Sequence, residues 1–233
     1  MTQDSQAEFP ESSAVHVDKA QVRDRILRER KGLSTAEHRQ QSQAIVEMIF
    51  GMDAFRHARV VVAYCSFGSE MDTVEFIAEV HRCGKTLVLP RINKKMNCLD
   101  LYLVGTDKDA LVDGPWGIRE PNPATCKLAT AQSLDLVLAP GVAFDPQGGR
   151  VGYGKGYYDK LLRSCLDLGA TPWIVAGAFD LQLLERVPMQ AHDIFVHGVL
   201  TESRCIICPT QPPLPASSSN TQRRCAIPDL SGQ

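Results

Sequence analysis

The stretch LAPGVAFDPQGGRVGYGKGYYD at residues 138–159 decides the fold. It predicts a buried strand that enters a glycine-rich loop, and the loop runs directly into a helix. Glycines at positions 148, 149, 152, 154 and 156 permit positive φ angles and a close approach of the backbone to a ligand. Unpaired N–H groups and the dipole at a helix N-terminus attract an anion, and Arg150 and Lys155 add positive charge. The stretch therefore predicts a phosphate-binding loop.

This loop differs from two common phosphate-binding motifs. Gly149 to Lys155 fits the first seven positions of the P-loop pattern, but Gly156 stands where a serine or threonine would hold magnesium. Tyr157 breaks the pattern G-x-G-x-x-G. Asp159, one helical turn beyond Lys155, offers a carboxylate that can meet the magnesium of a bound nucleotide. The alternative is a glycine-rich connection with a solvated lysine, which accounts less well for five glycines, two cations and three tyrosines within residues 148–159.

Composition limits the possible partners. The 233 residues, 44% of them hydrophobic, are enough for one substantial core. A net charge of −2 gives no reason to expect nucleic acid or an anionic membrane as a partner. No apolar run approaches the length of a membrane span, and the first twenty residues contain no apolar signal-peptide core. We therefore expect a cytoplasmic protein.

Strand and helix patterns alternate along the chain. The sequence STAE at 34–37 is a capping box, and Val60–Val62 belongs to a continuous β-branched run typical of a strand covered on both faces. A central strand is predicted over residues 134–144, a short helix over 181–185 and a last strand over 192–201. The alternation predicts a three-layer α/β sandwich with a mainly parallel central sheet and helices on both faces. This architecture is similar to the scaffold of sugar-phosphate isomerases and CoA-transferases.

Low-complexity ends flank one predicted domain. Residues 1–16 are polar without apolar periodicity, and residues 209–233 are rich in proline and serine. Neither segment has enough apolar surface to order itself. We expect flexible ends and a single domain over residues 17–208.

Four further residues are candidates for a site, each with a structural alternative. Lys19 and Arg23 lie one turn apart on a predicted helix, where both are equally typical of a solvated basic face. Glu70 follows a predicted buried strand, at the end where open α/β sheets bind ligands, but a surface carboxylate fits there too. Trp116 lies in a turn-rich segment, where it either covers the edge of the core or stacks on a flat heterocycle.

Several segments together resemble the 5-formyltetrahydrofolate cyclo-ligases, also called methenyltetrahydrofolate synthetases. The run RVGYGKGYYD at 150–159 is similar to the nucleotide loop of that family, and PGVAFD at 140–145 precedes it as in the family. KAQVR at 19–23 is similar to the family's N-terminal K-x-x-x-R, and SFGSEMDT at 66–73 to the segment whose glutamate contacts the folate. The resemblance extends over about residues 17–201.

The resemblance implies an activity and its reactants. Such enzymes use ATP and magnesium to phosphorylate the formyl oxygen of 5-formyltetrahydrofolate. N10 then attacks, phosphate departs and 5,10-methenyltetrahydrofolate forms. The expected partners are ATP and 5-formyltetrahydrofolate, with no nucleic acid and no membrane, and the protein is expected to be a monomer.

The resemblance also implies roles for individual residues. Those expected to bind ATP are Lys19, Arg23, Arg150, Val151, Gly152, Tyr153, Gly154, Lys155, Gly156, Tyr157 and Tyr158. Those expected to bind the folate are Cys65, Glu70, Trp116, Tyr153, Gly154, Lys155, Gly156 and Tyr157. Catalytic roles fall to Arg150, Tyr153 and Lys155. Asp159 is the expected magnesium ligand.

The sequence departs from the family pattern at one informative position. Many relatives have H-D-x-x-x-D near the last strand, whereas here His192-Asp193 is followed by His197. An imidazole is a poor ligand for a hard, oxygen-preferring ion. A non-catalytic nucleotide or folate binder is therefore one alternative, and a sugar-phosphate isomerase or CoA-transferase on a similar scaffold is another.

Overall fold

The computed structural model describes residues 18–209. The first predicted flexible segment, and all of the second except residue 209, lie outside these described residues. Within the described range no helix is long and apolar enough to cross a membrane.

Five α-helices lie between residues 18 and 209. They are α1 (Lys19–Lys31), α2 (Thr35–Gly51), α3 (Asp53–His57), α4 (Val74–Arg82) and α5 (Tyr157–Asp167). The capping box is present at the start of α2. The Ser34 hydroxyl accepts a hydrogen bond from the Glu37 N–H (3.2 Å), and the Glu37 carboxylate accepts one from the Ser34 N–H (2.9 Å).

Twelve strands complete the described chain. They are β1 (Val60–Val62), β2 (Thr86–Asn93), β3 (Cys98–Val104), β4 (Leu111–Asp113), β5 (Arg119–Pro121), β6 (Lys127–Leu128), β7 (Leu136–Leu138), β8 (Ala143–Phe144), β9 (Arg150–Val151), β10 (Trp173–Gly177), β11 (Gly198–Leu200) and β12 (Cys205–Ile207). Eight of them form the main sheet in the order β12-β11-β10-β7-β1-β2-β3-β6, and β4-β5 and β8-β9 form two separate ribbons.

The main sheet is parallel at its centre and antiparallel at its edges. Strands β2, β1, β7, β10 and β11 run parallel to their neighbours in this group, whereas β3, β6 and β12 pair antiparallel. Successive residues of β1 face opposite layers. Val61 packs with α2, α3 and α4, and Val62 packs with α5. The predicted three-layer α/β sandwich is therefore confirmed.

The prediction of one continuous strand over residues 134–144 is wrong. Strand β7 leaves the sheet after Leu138, and β8 pairs instead with β9 in a ribbon covered by α1. Pro140 has no N–H to donate to a ladder, and a Cβ at Gly141 would lie 2.4 Å from the Phe144 ring. Because these two residues together impose a sharp bend, the chain cannot continue in the sheet.

Two shorter predictions are also wrong in extent. The helix predicted over residues 181–185 is a single 3₁₀ turn at Asp180–Gln182, and the strand predicted over 192–201 is ordered as a strand only at Gly198–Leu200. In both places the backbone bonds to other segments. The Val196 N–H, for example, donates to the Gly148 carbonyl (2.9 Å).

The topology creates a crevice beside β1. From β1 the chain passes through α4 to β2, which lies on one side of β1 in the sheet. Strand β7 lies on the other side of β1, and the next strands of the sheet beyond it are β10 and β11. The connections leaving the carboxyl ends of β1 and β7 thus diverge. In open α/β sheets this switch point is where ligands bind.

Candidate functional site

A cavity of about 450 Å³ opens at this switch point. Its walls combine aromatic and aliphatic side chains with a few converging polar groups. Most of the site residues expected from the sequence line it: Cys65, Glu70, Trp116, Arg150, Gly152, Tyr153, Lys155, Gly156, Tyr157, Tyr158 and Asp159.

Asp145 builds the base of the glycine-rich loop. Its carboxylate is buried and accepts hydrogen bonds from the N–H groups of Gln147 (2.9 Å), Gly149 (2.8 Å) and Val187 (2.9 Å). A Cβ at Gly149 would lie 2.5 Å from that carboxylate, so only glycine allows the backbone to close in. The acid that ends the PGVAFD segment therefore has a structural role.

The loop then runs along the cavity into α5. Gly154 (φ 93°) and Gly156 (φ 64°) adopt the left-handed conformation, and Lys155 between them is exposed. Gly156 is the N-cap of α5, and no side chain caps the N-terminus of that helix. The first-turn N–H groups are thus available to an anion.

Helix α1 lies along the outside of this loop. The Arg23 Nε donates a hydrogen bond to the Gly152 carbonyl (2.9 Å), and its guanidinium lies 3.4 Å from where a Cβ at Gly154 would be. Lys19 forms an ion pair with Asp193. Neither cation lines the cavity in this structure. The K-x-x-x-R pattern is therefore adjacent to the loop, and its alternative as a fully solvated face is wrong.

Arg30, on the same helix, was missed by sequence reasoning. It is 3% exposed, and its guanidinium donates to the Tyr153 hydroxyl (2.7 Å) and to the Ser69 hydroxyl (3.0 Å). Eleven residues are about three helical turns, so Lys19 and Arg30 lie on one face of α1. This spacing from Lys19 was the feature of the sequence that could have indicated Arg30.

An ion pair joins the loop to α5. The Arg150 guanidinium is buried, donates to the Asp159 carboxylate (2.6 Å) and lies 3.3 Å from the Pro140 carbonyl oxygen. The same Asp159 oxygen accepts the Ile194 N–H (3.2 Å). The Nε of Arg150 has no hydrogen-bond partner among the described residues. This buried cation therefore lines the cavity, and its Nε–H is a donor without a partner among the described residues.

Asp159 is a suitable ligand for magnesium that arrives with a nucleotide. It lines the cavity beside the glycine-rich loop. Magnesium commonly takes one or two carboxylates and completes its shell with phosphate oxygens and water. In residues 18–209 there is no group of three or more His, Cys, Asp or Glu side chains placed to hold a metal alone. The donor set therefore fits a metal–nucleotide complex and not an all-protein metal site.

Glu70 lines the cavity next to Tyr153 of the loop and is 4% exposed, so its alternative as a surface carboxylate is wrong. Its carboxylate accepts the Phe67 N–H (3.0 Å), and its backbone carbonyl oxygen lies 2.6 Å from His38 Nε2. Burial raises the pKa of Glu70, against the opposing effects of the Phe67 N–H, the Tyr153 hydroxyl and the Arg30 charge. The carboxyl group is thus fixed in place in a medium of low polarity.

Other titratable groups in the wall are held neutral. Burial raises the pKa of Cys65 to about 11, so this residue is a thiol at neutral pH and not a nucleophilic thiolate. Burial also raises the pKa of Tyr153 and of Tyr158 above the usual range. Tyr158 lines the cavity, and its buried hydroxyl has no partner among the described residues. The site is therefore suited to binding and positioning.

Trp116 stands at the mouth of the cavity. It lies in a 3₁₀ turn of the β4–β5 ribbon with φ 60° and is 68% exposed. An indole so exposed covers little of the core, so the first of its two interpretations is wrong. A non-glycine residue in this conformation is strained, as residues at ligand sites often are.

Two further expected residues do not line the cavity, and His197, the departure from the family pattern, bonds to the sheet. Gly154 does not line it, and the Val151 side chain is fully buried under α1. His197 is buried, its Nδ1 accepts the Ile174 N–H (2.9 Å), and its ring centroid lies 5.2 Å from that of Trp173. The imidazole therefore stabilises the β10–β11 pair.

Comparisons with known proteins agree with this geometry. Residues 15–202 match the model of the 5-formyltetrahydrofolate cyclo-ligase family. The chain is 29% identical to the mouse 5-formyltetrahydrofolate cyclo-ligase over 198 residues, which cover 82% of this chain and 97% of the mouse protein. It is 31% identical to the probable 5-formyltetrahydrofolate cyclo-ligase of Caenorhabditis elegans over 184 residues, covering 76% and 89% of the two chains.

A solved structure also resembles the fold. The 5,10-methenyltetrahydrofolate synthetase of Aquifex aeolicus superposes with a TM-score of 0.72 at 30% identity, covering 87% of this chain and 99% of that one. The family match spans most of the described chain, including the glycine-rich loop and the segment of Glu70. The chain therefore belongs to the 5-formyltetrahydrofolate cyclo-ligase family.

Proposed function

We propose that this protein converts 5-formyltetrahydrofolate to 5,10-methenyltetrahydrofolate, with ATP consumed and ADP and phosphate released. One observation carries the proposal. A glycine-rich, cationic loop at an uncapped helix N-terminus and a buried glutamate line a single cavity. The first suits a triphosphate and the second suits a heterocycle with N–H donors.

The reaction removes the formyl oxygen. Transfer of the γ-phosphoryl group of ATP to that oxygen converts it into a leaving group. N10 then bonds to the formyl carbon and loses its proton, the carbon–oxygen bond breaks, and the oxygen leaves as part of phosphate, which takes up that proton. Phosphoryl transfer depends on positioning and charge neutralisation and needs no covalent nucleophile, which agrees with the neutral Cys65 thiol.

The loop and α5 supply the phosphate side of the site. Lys155 is exposed at the apex, where it can reach a β- or γ-phosphate, and the N–H groups of the first turn of α5 point at the same anion. Arg150 contributes a buried charge held by Asp159. Magnesium bound by Asp159 would neutralise phosphate charge when the nucleotide is present. Arg23 acts through the loop backbone that it supports.

The part of the cavity wall around Glu70 supplies the folate side. Glu70 is shielded from water, so a hydrogen bond from a pteridine N–H to its carboxylate would not compete with solvent. The Tyr158 hydroxyl is an unused polar group in the same wall. Trp116 and Tyr157 offer ring faces on which the flat pteridine can stack.

A second candidate, a non-catalytic binder, rests on His197. At this position many relatives have an acid, whereas the imidazole offers no carboxylate and its Nδ1 accepts a hydrogen bond from the backbone of β10. Catalysis is favoured over the binder because Asp159 and Lys155 are both in place at the cavity wall. We further propose that the protein is cytoplasmic and monomeric.

Absorbance of the methenyl product tests the proposal. The purified protein is incubated with 5-formyltetrahydrofolate, ATP and magnesium, and each is omitted in turn. Product that forms only in the complete mixture supports the cyclo-ligase. Binding of both ligands without product would overturn it in favour of the binder, and His197→Asp would then be the variant to assay.

A further inference from the structure

Arg30 lies where three segments meet. Its Nη2 donates to the Tyr153 hydroxyl of the glycine-rich loop (2.7 Å), and its Nε donates to the Ser69 hydroxyl in the segment of Glu70 (3.0 Å). Its Nη1 lies 3.5 Å from the carbonyl oxygen of Gly141, in the bend after β7. One side chain of α1 therefore links both walls of the cavity.

Tyr153 is enclosed by this arrangement. Its ring centroid lies 5.3 Å from that of Phe67 on one side and 5.9 Å from the Arg30 guanidinium carbon. Its hydroxyl also donates a hydrogen bond to Glu70, which favours the ionised form of that carboxyl group. The orientation of Tyr153 within the cavity wall is thus determined by Phe67, Glu70 and Arg30 together.

The environment of Arg30 is unusual for a structural arginine. A buried guanidinium is costly unless it is paired with a carboxylate, and no described carboxylate lies within ion-pair distance of Arg30. Its charge instead acts on Glu70 and Tyr153, two residues of the cavity wall. Methionine or leucine would fill the same space at lower cost if packing were the only requirement.

We propose that Arg30 is a positioning residue for the folate, which acts by holding Tyr153 against Phe67 and in hydrogen-bond reach of Glu70. The inference rests on the proposed function in that it assigns the Glu70 wall to the folate. Arg30 itself is too buried to touch a ligand. Its loss is therefore expected to weaken the folate site and to leave the phosphate site around Lys155 intact.

The first experiment compares Arg30→Met with Arg28→Met. Arg28 is an exposed arginine of the same helix, bonded to the backbone carbonyl of Asp24 (3.2 Å), and is the matched control. We expect Arg30→Met to weaken calorimetric binding of 5-formyltetrahydrofolate about tenfold, the typical value of a hydrogen bond to a charged group. The KM for ATP is expected to change less than twofold, and Arg28→Met to match the wild type.

A double-mutant cycle with Tyr153→Phe tests the route of the effect. If Arg30 acts through the Tyr153 hydroxyl, the loss in the double variant is expected to be about equal to that of Arg30→Met alone. Arg30→Lys keeps the charge but cannot reach Tyr153 and Ser69 together, so partial recovery is expected. Should Arg30→Met fail to fold, Arg30→Lys and Tyr153→Phe give the same comparison.

Three results would overturn the proposal. The first is an equal loss of folate and ATP binding in Arg30→Met together with a lowered melting temperature. The second is additive effects of the two substitutions in the cycle. The third is wild-type folate affinity in Arg30→Met. A wild-type protein that binds folate but forms no product would count against the proposed function, and the binding comparison would still decide the role of Arg30. A wild-type protein that does not bind folate would overturn both.

Discussion

Two loops that line the cavity are built in opposite ways. The segment after β1 is cross-linked by its own side chains. The Ser66 N–H donates to the Thr73 hydroxyl (3.0 Å), the Thr73 N–H donates back to the Ser66 hydroxyl (3.2 Å), and the Thr73 hydroxyl donates to the Tyr64 carbonyl (2.7 Å). The segment after β9 depends on glycines with positive φ and is held from outside by Arg23.

The difference matches two recognition problems. A flat heterocycle is identified by hydrogen bonds in fixed directions, which require a carboxyl group whose position does not change, and Glu70 is buried in such a frame. A triphosphate is bound by charge and by backbone N–H groups, which glycines can bring close. We therefore expect changes at Lys155 in the glycine-rich loop to affect turnover, and changes in the β1 segment, or at the Tyr153 that contacts Glu70, to affect folate affinity.

Among the substitutions that test this difference between the two loops, Lys155→Ala is expected to have the largest effect, a loss of turnover. Removing a positioned charge from a developing anion lowers turnover by about 10²–10³-fold. The melting temperature is expected to stay within about 1 °C, because an exposed side chain contributes little to stability. Steady-state assays and thermal unfolding measure the two quantities.

Lys160→Ala is the matched control for that experiment. Lys160 is an exposed lysine five positions further on, and its ammonium group donates to the Asn97 carbonyl (3.1 Å). Its turnover should equal that of the wild type. Near-wild-type turnover in Lys155→Ala would show that the glycine-rich loop does not bind the reacting phosphate.

Trp116→Ala is expected to have a smaller effect, limited to the folate. Loss of a stacking contact raises the KM for 5-formyltetrahydrofolate about tenfold at most, with kcat and the KM for ATP within a factor of about two. Leu128→Ala removes another exposed apolar side chain, outside the cavity lining, and should change neither constant. An increase in the KM for ATP alone would place the indole on the nucleotide side of the cavity.

The sequence made part of this architecture predictable. The glycine-rich loop, the capping box of α2 and the buried parallel strands follow from local patterns, since their causes lie within a few neighbouring residues. The bend at Pro140 and Gly141 was missed because it depends on the contact of Gly141 with the Phe144 ring, which strand propensity does not include.

Arg30 could not be identified for a similar reason. Its partners Ser69 and Tyr153 lie 39 and 123 positions away along the chain. An arginine on a basic helix is usually solvated, and only the packing of α1 over β8 and β9 shows that this one is buried. Glu70 posed the same problem, because its burial depends on the tertiary frame around the β1 segment.

The smallest expected effect is a pH dependence of stability at Glu70. Burial raises the pKa of this carboxyl group, so the native state retains the proton to a higher pH than the unfolded state does. The stability linked to the raised pKa is fully present below the unfolded-state pKa and is lost as the pH rises through the folded-state pKa. Because Glu70→Gln does not titrate, its melting temperature minus that of the wild type should rise between about pH 4.5 and pH 8. Glu185→Gln, at an exposed position, should show no such trend, and a flat or falling difference for Glu70→Gln would mean that Glu70 is as well solvated as a surface carboxylate.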